Sequence, residues 1–479
     1  MKKRICLVLS LVFFIGLISF CGKKAPEMGK DDVQALLENI AQSPMELEIK
    51  AESSDIDIEP GEKKSQYQII LMNPEVIFST AVYKHLNMQV PEFDIPIKMG
   101  KMVMIYEPLE KNLHIKSSEK LGYNLLLSEI MSAFKSRQTE EGKEAPDMRI
   151  HYYLERIDLE GYDISALLDA QDKSFEEVLT EFVASNNEMK VKAGGFKVDV
   201  SDQKGNIKTI EASLESMESF FQSEAGLVAA FLQKQDSVDI LSDLLEKKEP
   251  LIAIKIEAAG MDFLVETSKQ NIKAGLERAG FSYSLKPSHE GDYLDFRSEW
   301  NMGSLETEGI PEKTSIFTKL NEVNVKFSIE NLSPEFISAY FDLVKTSQSA
   351  GTAEQAAVQQ EIAMKGLALV SLLVESKPVI KISLSPLDHY FGVIQAQGEF
   401  QFIQMGPPVG KAEAKIMDME QMEQNITQTF PPDRAQAVIN WIKQMFQADD
   451  AGQGKMTFEI KRDDPSHFYL NGEKHAFKQ

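Results

Sequence analysis

Residues 323–344 read VNVKFSIENLSPEFISAYFDLV and contain both kinds of element from which this chain is built. The first eight residues alternate apolar with polar side chains, as in a strand that buries one face and solvates the other. Ser333 and Pro334 then match a helix N-cap and first helical position, and Phe336 and Tyr340 follow on one helical stripe. The stretch predicts a strand that leads directly into a helix.

The same alternation recurs along the chain and predicts most of the fold. It is present in residues 196–200, 252–257, 379–384 and 456–460. Segments with helical character separate these strands and cover residues 31–43, 175–184, 217–246, 354–374 and 435–446. Because half-solvated strands are typical of antiparallel sheets, the predicted fold class is α+β, with antiparallel strand-rich sheets and helices packed on one face.

Three dipeptides predict hairpin turns between strands, namely Gly205–Asn206, Ala259–Gly260 and Asn471–Gly472. Residues 153–166 and 325–339 share the order of an alternating strand, a short acidic turn and the start of a helix. This similarity has two explanations: a genuine internal repeat, or two sheet-to-helix junctions that look alike.

The N-terminus, MKKRICLVLSLVFFIGLISFCGKK, has the order of a bacterial export signal: cations at positions 2–4, an uncharged run at 5–20, then Cys21. A cysteine directly after the run resembles a lipoprotein signal, whose thiol receives acyl chains such as palmitate and becomes the new N-terminus. Phe20 departs from the small residue usual before that cysteine, so an uncleaved anchor helix and simple secretion remain alternatives. All three place the body outside the cytoplasm.

Cysteine content and charge exclude several classes of site and partner. Cys6 is the only other cysteine and lies inside the signal, so the mature chain has neither a disulfide framework nor a thiolate metal site. Formal net charge is −23, and removal of residues 1–20 with their three cations makes it −26. This sign repels nucleic acid and anionic membrane surfaces, so we expect membrane attachment through the N-terminal lipid.

Residues 82–105 are rich in methionine and other apolar residues but are interrupted by prolines. Methionine adapts to irregular apolar surfaces, so the segment is either core filling or a lipid- or peptide-binding face. The residues of the candidate binding surface are Met88, Val90, Phe93, Ile95, Ile97, Met99, Met102 and Met104.

No sequence motif specifies a reaction. The chain has no phosphate-binding glycine loop, no Gly-x-Ser-x-Gly and no paired histidines at metal-ligand spacing. His389 is the most interesting histidine because Asp388 precedes it, but neighbours on a strand point to opposite faces. The sequence therefore predicts no catalytic residue, no metal and no cofactor.

The second half of the chain has a further resemblance. The strand and helix of 323–344 are followed by Lys377–Ile382, by Gly398–Phe402 and by a terminal Leu470–Asn471–Gly472 turn. This order resembles the bacterial YdgA-like family, repetitive envelope proteins of unassigned function, over roughly residues 190–475. The resemblance supplies no catalytic residues and implies a periplasm-facing, strand-rich, elongated body.

These patterns divide the chain into four predicted parts. They are a signal peptide (1–20), a lipid-anchored linker with a short helix (21–44), an N-terminal α+β module (45–190) and a C-terminal strand-rich α+β module (191–479). The predicted function is a non-enzymatic envelope lipoprotein that binds a lipid or an envelope protein. Since Gly22 is not the aspartate that retains some lipoproteins at the inner membrane, we expect the outer membrane, facing the periplasm or the cell surface. A hydrolase with a dispersed site and a structural spacer are the alternatives.

Overall fold

The computed structural model describes residues 27–44, 47–63, 65–79, 94–98, 100–117, 121–126, 148–202, 207–232, 237–247, 249–267, 271–289, 291–309, 319–320, 322–348, 355–389, 392–403, 407–449 and 451–477. Within them the chain has the predicted α+β fold, in which antiparallel strands form the sheet and helices pack at its ends.

The strands are named in chain order. The N-terminal ones are β1 (Leu47–Lys50), β2 (Ile56–Pro60), β3 (Tyr67–Met72), β4 (Glu75–Ser79), β5 (Asp94–Lys98), β6 (Lys101–Glu107), β7 (Asn112–Ser117), β8 (Leu121–Leu126), β9 (Met148–Leu154) and β10 (Arg156–Asp163). The central ones are β11 (Glu188–Asp202), β12 (Ile207–Ser223), β13 (Ile252–Thr267), β14 (Asn271–Pro287), β15 (Leu294–Met302), β16 (Leu305–Glu308), β17 (Lys319–Leu320) and β18 (Val323–Leu332). The C-terminal ones are β19 (Val379–His389), β20 (Gly392–Gln401), β21 (Val409–Ile416), β22 (Gln447–Ala448), β23 (Gly454–Ile460), β24 (His467–Leu470) and β25 (Glu473–Ala476).

The helices are α1 (Lys30–Ala41), α2 (Ser165–Leu168), α3 (Phe175–Ser185), α4 (Ala225–Leu232), α5 (Ser237–Leu244), α6 (Pro334–Gln348), α7 (Gln355–Ser376), α8 (Met419–Thr429) and α9 (Pro432–Met445). The Ser333 hydroxyl accepts a hydrogen bond from the Phe336 amide at 3.2 Å, so the predicted N-cap of α6 is confirmed. Helix α3 begins with a capping box between Ser174 and Glu177.

From β10 to β15 and from β18 to β21, strands that follow one another in the chain lie next to one another in the sheet. The longer of two ladders, which we call the proximal sheet, runs β2–β3–β6–β7–β10–β11–β12–β13–β14–β15–β18–β19–β20–β21–β23–β24–β25. The shorter one, the distal sheet, runs β1–β4–β5–β8–β9 and continues through β11–β14 to β16 and β17. Strands β11–β14 are long enough to belong to both.

The two sheets meet at a line of six residues, which we call the corner line: four lie within β11–β14 and two lie between consecutive strands. They are Glu155, Gly195, Glu215, Gly260, Glu277 and Ser304. Gly195 and Gly260 adopt positive φ angles of 65° and 62°, a conformation that favours glycine. A Cβ at position 260 would lie 2.6 Å from the Cβ of Glu215, so the close approach of β12 and β13 also requires glycine. The ladders keep the same register on both sides of the corner line, and at the N-terminal end residues of both sheets pack in one core with α1, so the sheet bends there.

The helices come in pairs between consecutive strands. Pairs α2–α3, α4–α5 and α6–α7 follow β10, β12 and β18, and all three lie at the end of the proximal sheet away from the corner line. Helix α3 contacts α4, and α5 contacts α6, so the pairs form one row. The α8–α9 pair joins β21 to β23 at the other end of those strands.

Three apolar cores hold these elements together. The first joins α1 to β1–β4, β6 and β7, with Val33, Ile69 and Met104 fully buried. The second joins α4, α5 and α6 to the ends of β14, β15 and β18, around Leu241 and Leu294. The third joins α8 and α9 to β20 and β21. Each helix pair therefore covers only the strand ends beside it.

Two predictions about local structure are wrong. Ala259–Gly260 is a corner inside the continuous strand β13, since both neighbouring ladders continue past it in register. Residues 217–223 belong to β12, and the helices begin only at Ala225. The Asn471–Gly472 turn is confirmed between β24 and β25, with φ angles of 50° and 86°. The Gly205–Asn206 turn lies outside the described residues.

The predicted boundary between modules lies at residue 190, and the hydrogen-bonded ladder crosses it. Both β9 and β10 pair with β11, whose residues extend on either side of the boundary. The two similar segments, 153–166 and 325–339, both form a strand that ends where a helix pair begins. That shared junction accounts for their similarity without a repeat, which stays a prediction.

Candidate functional site

The strand register places apolar side chains opposite one another on one face of the proximal sheet. We call the three rows they form between β13 and β23 the apolar face. The row nearest the corner line is Ile256, Phe281, Trp300, Val325, Leu384, Ala396, Ala414 and Met456. The middle row is Ile254, Tyr283, Ser298, Phe327, Ile382, Gly398, Ala412 and Phe458. The outer row is Ile252, Leu285, Phe296, Ile329, Ile380, Phe400, Gly410 and Ile460.

The apolar face continues towards the N-terminus on three more strands. Strand β12 adds Phe221, β11 adds Met189 and Val191, and β10 adds Leu159. The face thus spans eleven strands that are neighbours in the sheet, from β10 to β23. None of its residues named here carries a charge.

The opposite face of the same strands is charged. Lysine and glutamate side chains alternate along it and form ion pairs: Lys192–Glu160 at 2.8 Å, Lys255–Glu257 at 2.9 Å, Lys381–Glu330 at 2.6 Å and Lys411–Glu413 at 2.8 Å. Such partly exposed pairs contribute little to stability, but they keep this face solvated. The proximal sheet is therefore strongly amphipathic.

Much of the apolar face is open to solvent. Helices α4, α5 and α6 pack on its outer row, where Leu285 is buried and Phe296 and Ile329 are partly buried. The other two rows remain accessible: Trp300 is 57 % exposed, Ile382 47 % and Ile256 36 %. Monomeric proteins rarely expose contiguous apolar patches of more than a few hundred Å², so an open face of this extent indicates a binding surface.

Aromatic rings pack against one another on this face. The ring centroids of Phe281 and Trp300 are 4.7 Å apart, and those of Tyr283 and Phe296 are 5.7 Å apart. At the C-terminal end, Phe458 lies 6.1 Å from Phe400 and 5.5 Å from Phe468 by the same measure. These contacts fix the rings in place and give the apolar face a defined shape.

The distal sheet carries apolar residues with the opposite alternation. In β13, Ile254 and Ile256 face the proximal apolar side, whereas beyond Gly260 the apolar residues are Met261 and Phe263. At the N-terminal end, distal Ile49 packs in the same core as the proximal residues and α1, so both apolar sides there lie inside the bend.

Helix α1 fills the N-terminal end of the bend. Its residues Val33, Leu36, Leu37 and Ile40 are at most 5 % exposed and pack on both sheets. The apolar surface is thus closed at one end by a segment of this chain and open along its middle.

The candidate surface predicted from the methionine-rich segment is only partly described. Met102 and Met104 are 2 % and 0 % exposed in the core beneath α1, so these two residues fill the core and do not form a binding surface. The backbones of Ile95 and Ile97 lie in β5, but their side chains are outside the described structure. Met88, Val90, Phe93, Met99 and the lipidation candidate Cys21 also lie outside it.

The hydrolase alternative requires a histidine that lies close to a carboxylate. Near the C-terminus, His467 Nδ1 lies 2.7 Å from Asp464 Oδ1 and 3.0 Å from the Ser466 hydroxyl. A serine nucleophile and its carboxylate partner bind different ring nitrogens, so two contacts to one nitrogen belong to a turn rather than a triad. A second histidine–carboxylate pair among the described residues is on the charged side of the sheet, where His114 Nε2 lies 2.5 Å from Asp158 Oδ1. The side chain of His389 is outside the described structure.

Two features are absent from the part of the chain that the structure describes. No group of three or more histidine, cysteine, aspartate or glutamate side chains is arranged to hold a metal ion there. Among the helices of that part of the chain, none combines the length and apolar character needed to cross a bilayer.

Comparison of the chain with models of protein families, with curated proteins and with solved structures finds no match. The resemblance to the YdgA-like family stays a prediction.

Proposed function

We propose that this chain is a non-enzymatic lipoprotein of the bacterial cell envelope, tethered through Cys21, whose apolar face binds the acyl chains of lipids. The observation that supports this function is the uncharged face spanning β10 to β23, of which two rows are open to solvent. The N-terminal export signal supports the location.

The chemistry of the face favours acyl chains over a protein partner. Its inner rows between β13 and β23 offer aliphatic and aromatic side chains, with Ser298, Tyr283 and Trp300 as the residues that have polar groups. The indole N–H of Trp300 already donates to the Ser298 hydroxyl, at 2.9 Å. A protein partner brings polar groups of its own that need hydrogen bonds at an interface, whereas an acyl chain needs none.

The energy available is sufficient for lipid binding. Complete burial of a methylene group contributes about 0.8 kcal/mol, so a chain of about fifteen carbons that buries roughly half of its surface on an open face gains on the order of 5 kcal/mol before the costs of immobilisation are subtracted. Shape also favours a slender ligand, because β20 and β21 present only Ala396, Gly398, Ala412 and Ala414 in their inner rows. Larger side chains flank them on both sides, notably Ile382 and Phe458, and the ring of Phe400 lies against Gly398.

A pair of substitutions on one strand tests this function. Ile382→Asp places a carboxylate on the apolar face at a 47 % exposed position, where the fold tolerates it. Ser383→Asp adds the same carboxylate to the charged face, one residue along the chain. An acyl chain has no polar group that could compensate for desolvating a carboxylate. We therefore expect Ile382→Asp to bind clearly less of a fluorescent fatty acid than the unaltered chain, and Ser383→Asp to bind as much.

Mass spectrometry of the full chain extracted from membranes completes the test. We expect a mass that corresponds to cleavage before Cys21 with added acyl chains, together with co-purified phospholipid that Ile382→Asp reduces. Equal fatty-acid binding by both aspartate variants would show that the apolar face is not the lipid site. An intact 1–20 segment would disprove the tether but not the binding site.

A further inference from the structure

We propose that the apolar face is a passage along which lipids move, so that this chain transfers lipids rather than storing a single one. The inference rests on the proposed function and adds an activity to it. Three features carry it: the length of the face, the lack of charge along it and its closure at one end.

The face is longer than one acyl chain. Neighbouring strands lie 4.7–4.9 Å apart, so the ten steps from β10 to β23 span about 48 Å. One leaflet of a bilayer core is about 15 Å thick, which approximates the reach of one acyl chain. The face therefore accommodates several chains, either end to end across the strands or side by side along them.

Movement along the face meets no charged barrier in the three rows that define it. Their described residues between β13 and β23 include none of Asp, Glu, Lys or Arg. An acyl chain that shifts from one strand to the next exchanges one set of apolar contacts for another of the same kind. Adjacent positions thus have similar binding free energies, which is the condition for sliding.

The two ends of the passage differ. At the N-terminal end α1 occupies the bend, with Val33 and Leu37 buried between the proximal and distal sheets. Beyond β12 the inner rows are open to solvent, with Trp300 and Ile382 among the exposed residues. Lipids therefore enter and leave along the open length of the face and not through the end that α1 closes.

The middle strand of the passage offers a place to block it. Strand β15 lies five strands from β10 and five from β23. A double variant, Ser298→Asp with Trp300→Asp, places two carboxylates across its inner rows. Trp300 is 57 % exposed, so the second change is compatible with folding. The matched control, Ser282→Asp with Ser284→Asp, puts two carboxylates on the charged face of the neighbouring strand β14.

The assay measures two quantities on the full chain. Native mass spectrometry counts the phospholipids bound per chain, and fluorescence dequenching follows a labelled phosphatidylethanolamine from donor to acceptor vesicles of phosphatidylcholine. We expect more than one lipid per unaltered chain. The β15 double variant should still bind some lipid. It should transfer lipid at least about tenfold more slowly, because an acyl chain that crosses β15 must desolvate the two carboxylates. The β14 control should match the unaltered chain.

The outcomes separate the passage from the binding site. A single lipid per chain, or a transfer rate that the β15 variant leaves unchanged, overturns the passage and leaves the proposed function standing. Absence of bound lipid in the unaltered chain overturns both. Loss of folding by the β15 variant would appear in its circular dichroism, and Trp300→Asp alone then provides the same comparison against Ser282→Asp.

Discussion

At the scale of single residues, the corner line depends on the backbone of its glycines. Gly260 has a φ of 62°, and a Cβ there would approach the Glu215 Cβ to 2.6 Å, an atom that no side-chain rotation moves away. Gly452 also has a positive φ, of 77°, but a Cβ there would meet open space. The two positions share the backbone strain and differ in the steric contact.

We therefore expect Gly260→Ala to lower the free energy of unfolding by more than Gly452→Ala does. The left-handed conformation costs alanine roughly 1–2 kcal/mol at either position, and the contact with Glu215 adds to it only at position 260. Urea unfolding monitored by circular dichroism gives both values. Equal losses would mean that β12 and β13 separate readily, and that the corner line is not rigid.

At the scale of elements, the C-terminal hairpin is held by one carboxylate. Asp464 accepts hydrogen bonds from Lys474 Nζ at 2.6 Å and from the Tyr469 hydroxyl at 2.8 Å, and His467 Nδ1 lies 2.7 Å away. The bond from Lys474, then those from His467 and Tyr469, hold the pKa of the Asp464 carboxyl well below its ordinary value. Because these partners lie on β24 and β25, the carboxylate ties the turn before β24 to the hairpin.

The pH dependence follows from the direction of that shift. A carboxyl whose pKa is lower in the folded state stabilises the fold above its unfolded pKa of about 4, and this contribution is lost as the pH falls through the folded value. We expect Asp464→Asn to lower the urea midpoint at pH 7 and to lower it less at pH 3. Asp463→Asn removes the same charge next to it and serves as control. A difference between Asp464→Asn and the unaltered chain that does not change with pH would contradict this role.

The sequence patterns predicted the strands and helices themselves better than they predicted what packs on each of them. The alternation in residues 323–330 and the Ser333–Pro334 cap identified β18 and α6 because both signals are local. Ala259–Gly260 failed as a turn because a positive φ serves a hairpin and a corner equally well. Met102 and the residues of the apolar face show the same amphipathic alternation. Only the register and the position of α1 reveal that the first is covered and the second is open.

At the scale of the whole molecule, net charge should govern which membranes exchange lipid with the protein. Without residues 1–20 the formal charge is −26, and the ion-paired face contributes no excess of cations to offset it. At low ionic strength we expect transfer to be several-fold slower from vesicles that contain phosphatidylglycerol than from phosphatidylcholine vesicles. Raising the salt to about 1 M shortens the Debye length to about 3 Å and should bring the two rates together. Transfer rates that do not change with the salt concentration would show that membrane contact does not involve the charged surface.

The pairing of strands in chain order also bears on how the chain would fold after the proposed export. Each strand from β11 to β15 pairs with the strand that precedes it, so under the proposed export its template has already left the translocation channel when it emerges. Assembly can therefore proceed from the N-terminus, starting on α1 and its core, without waiting for distant segments. A body built in this way needs no disulfide to hold remote parts together, in keeping with a mature chain whose one cysteine is the proposed anchor. It also lengthens by whole hairpins, and every added hairpin would extend the apolar face by about 10 Å.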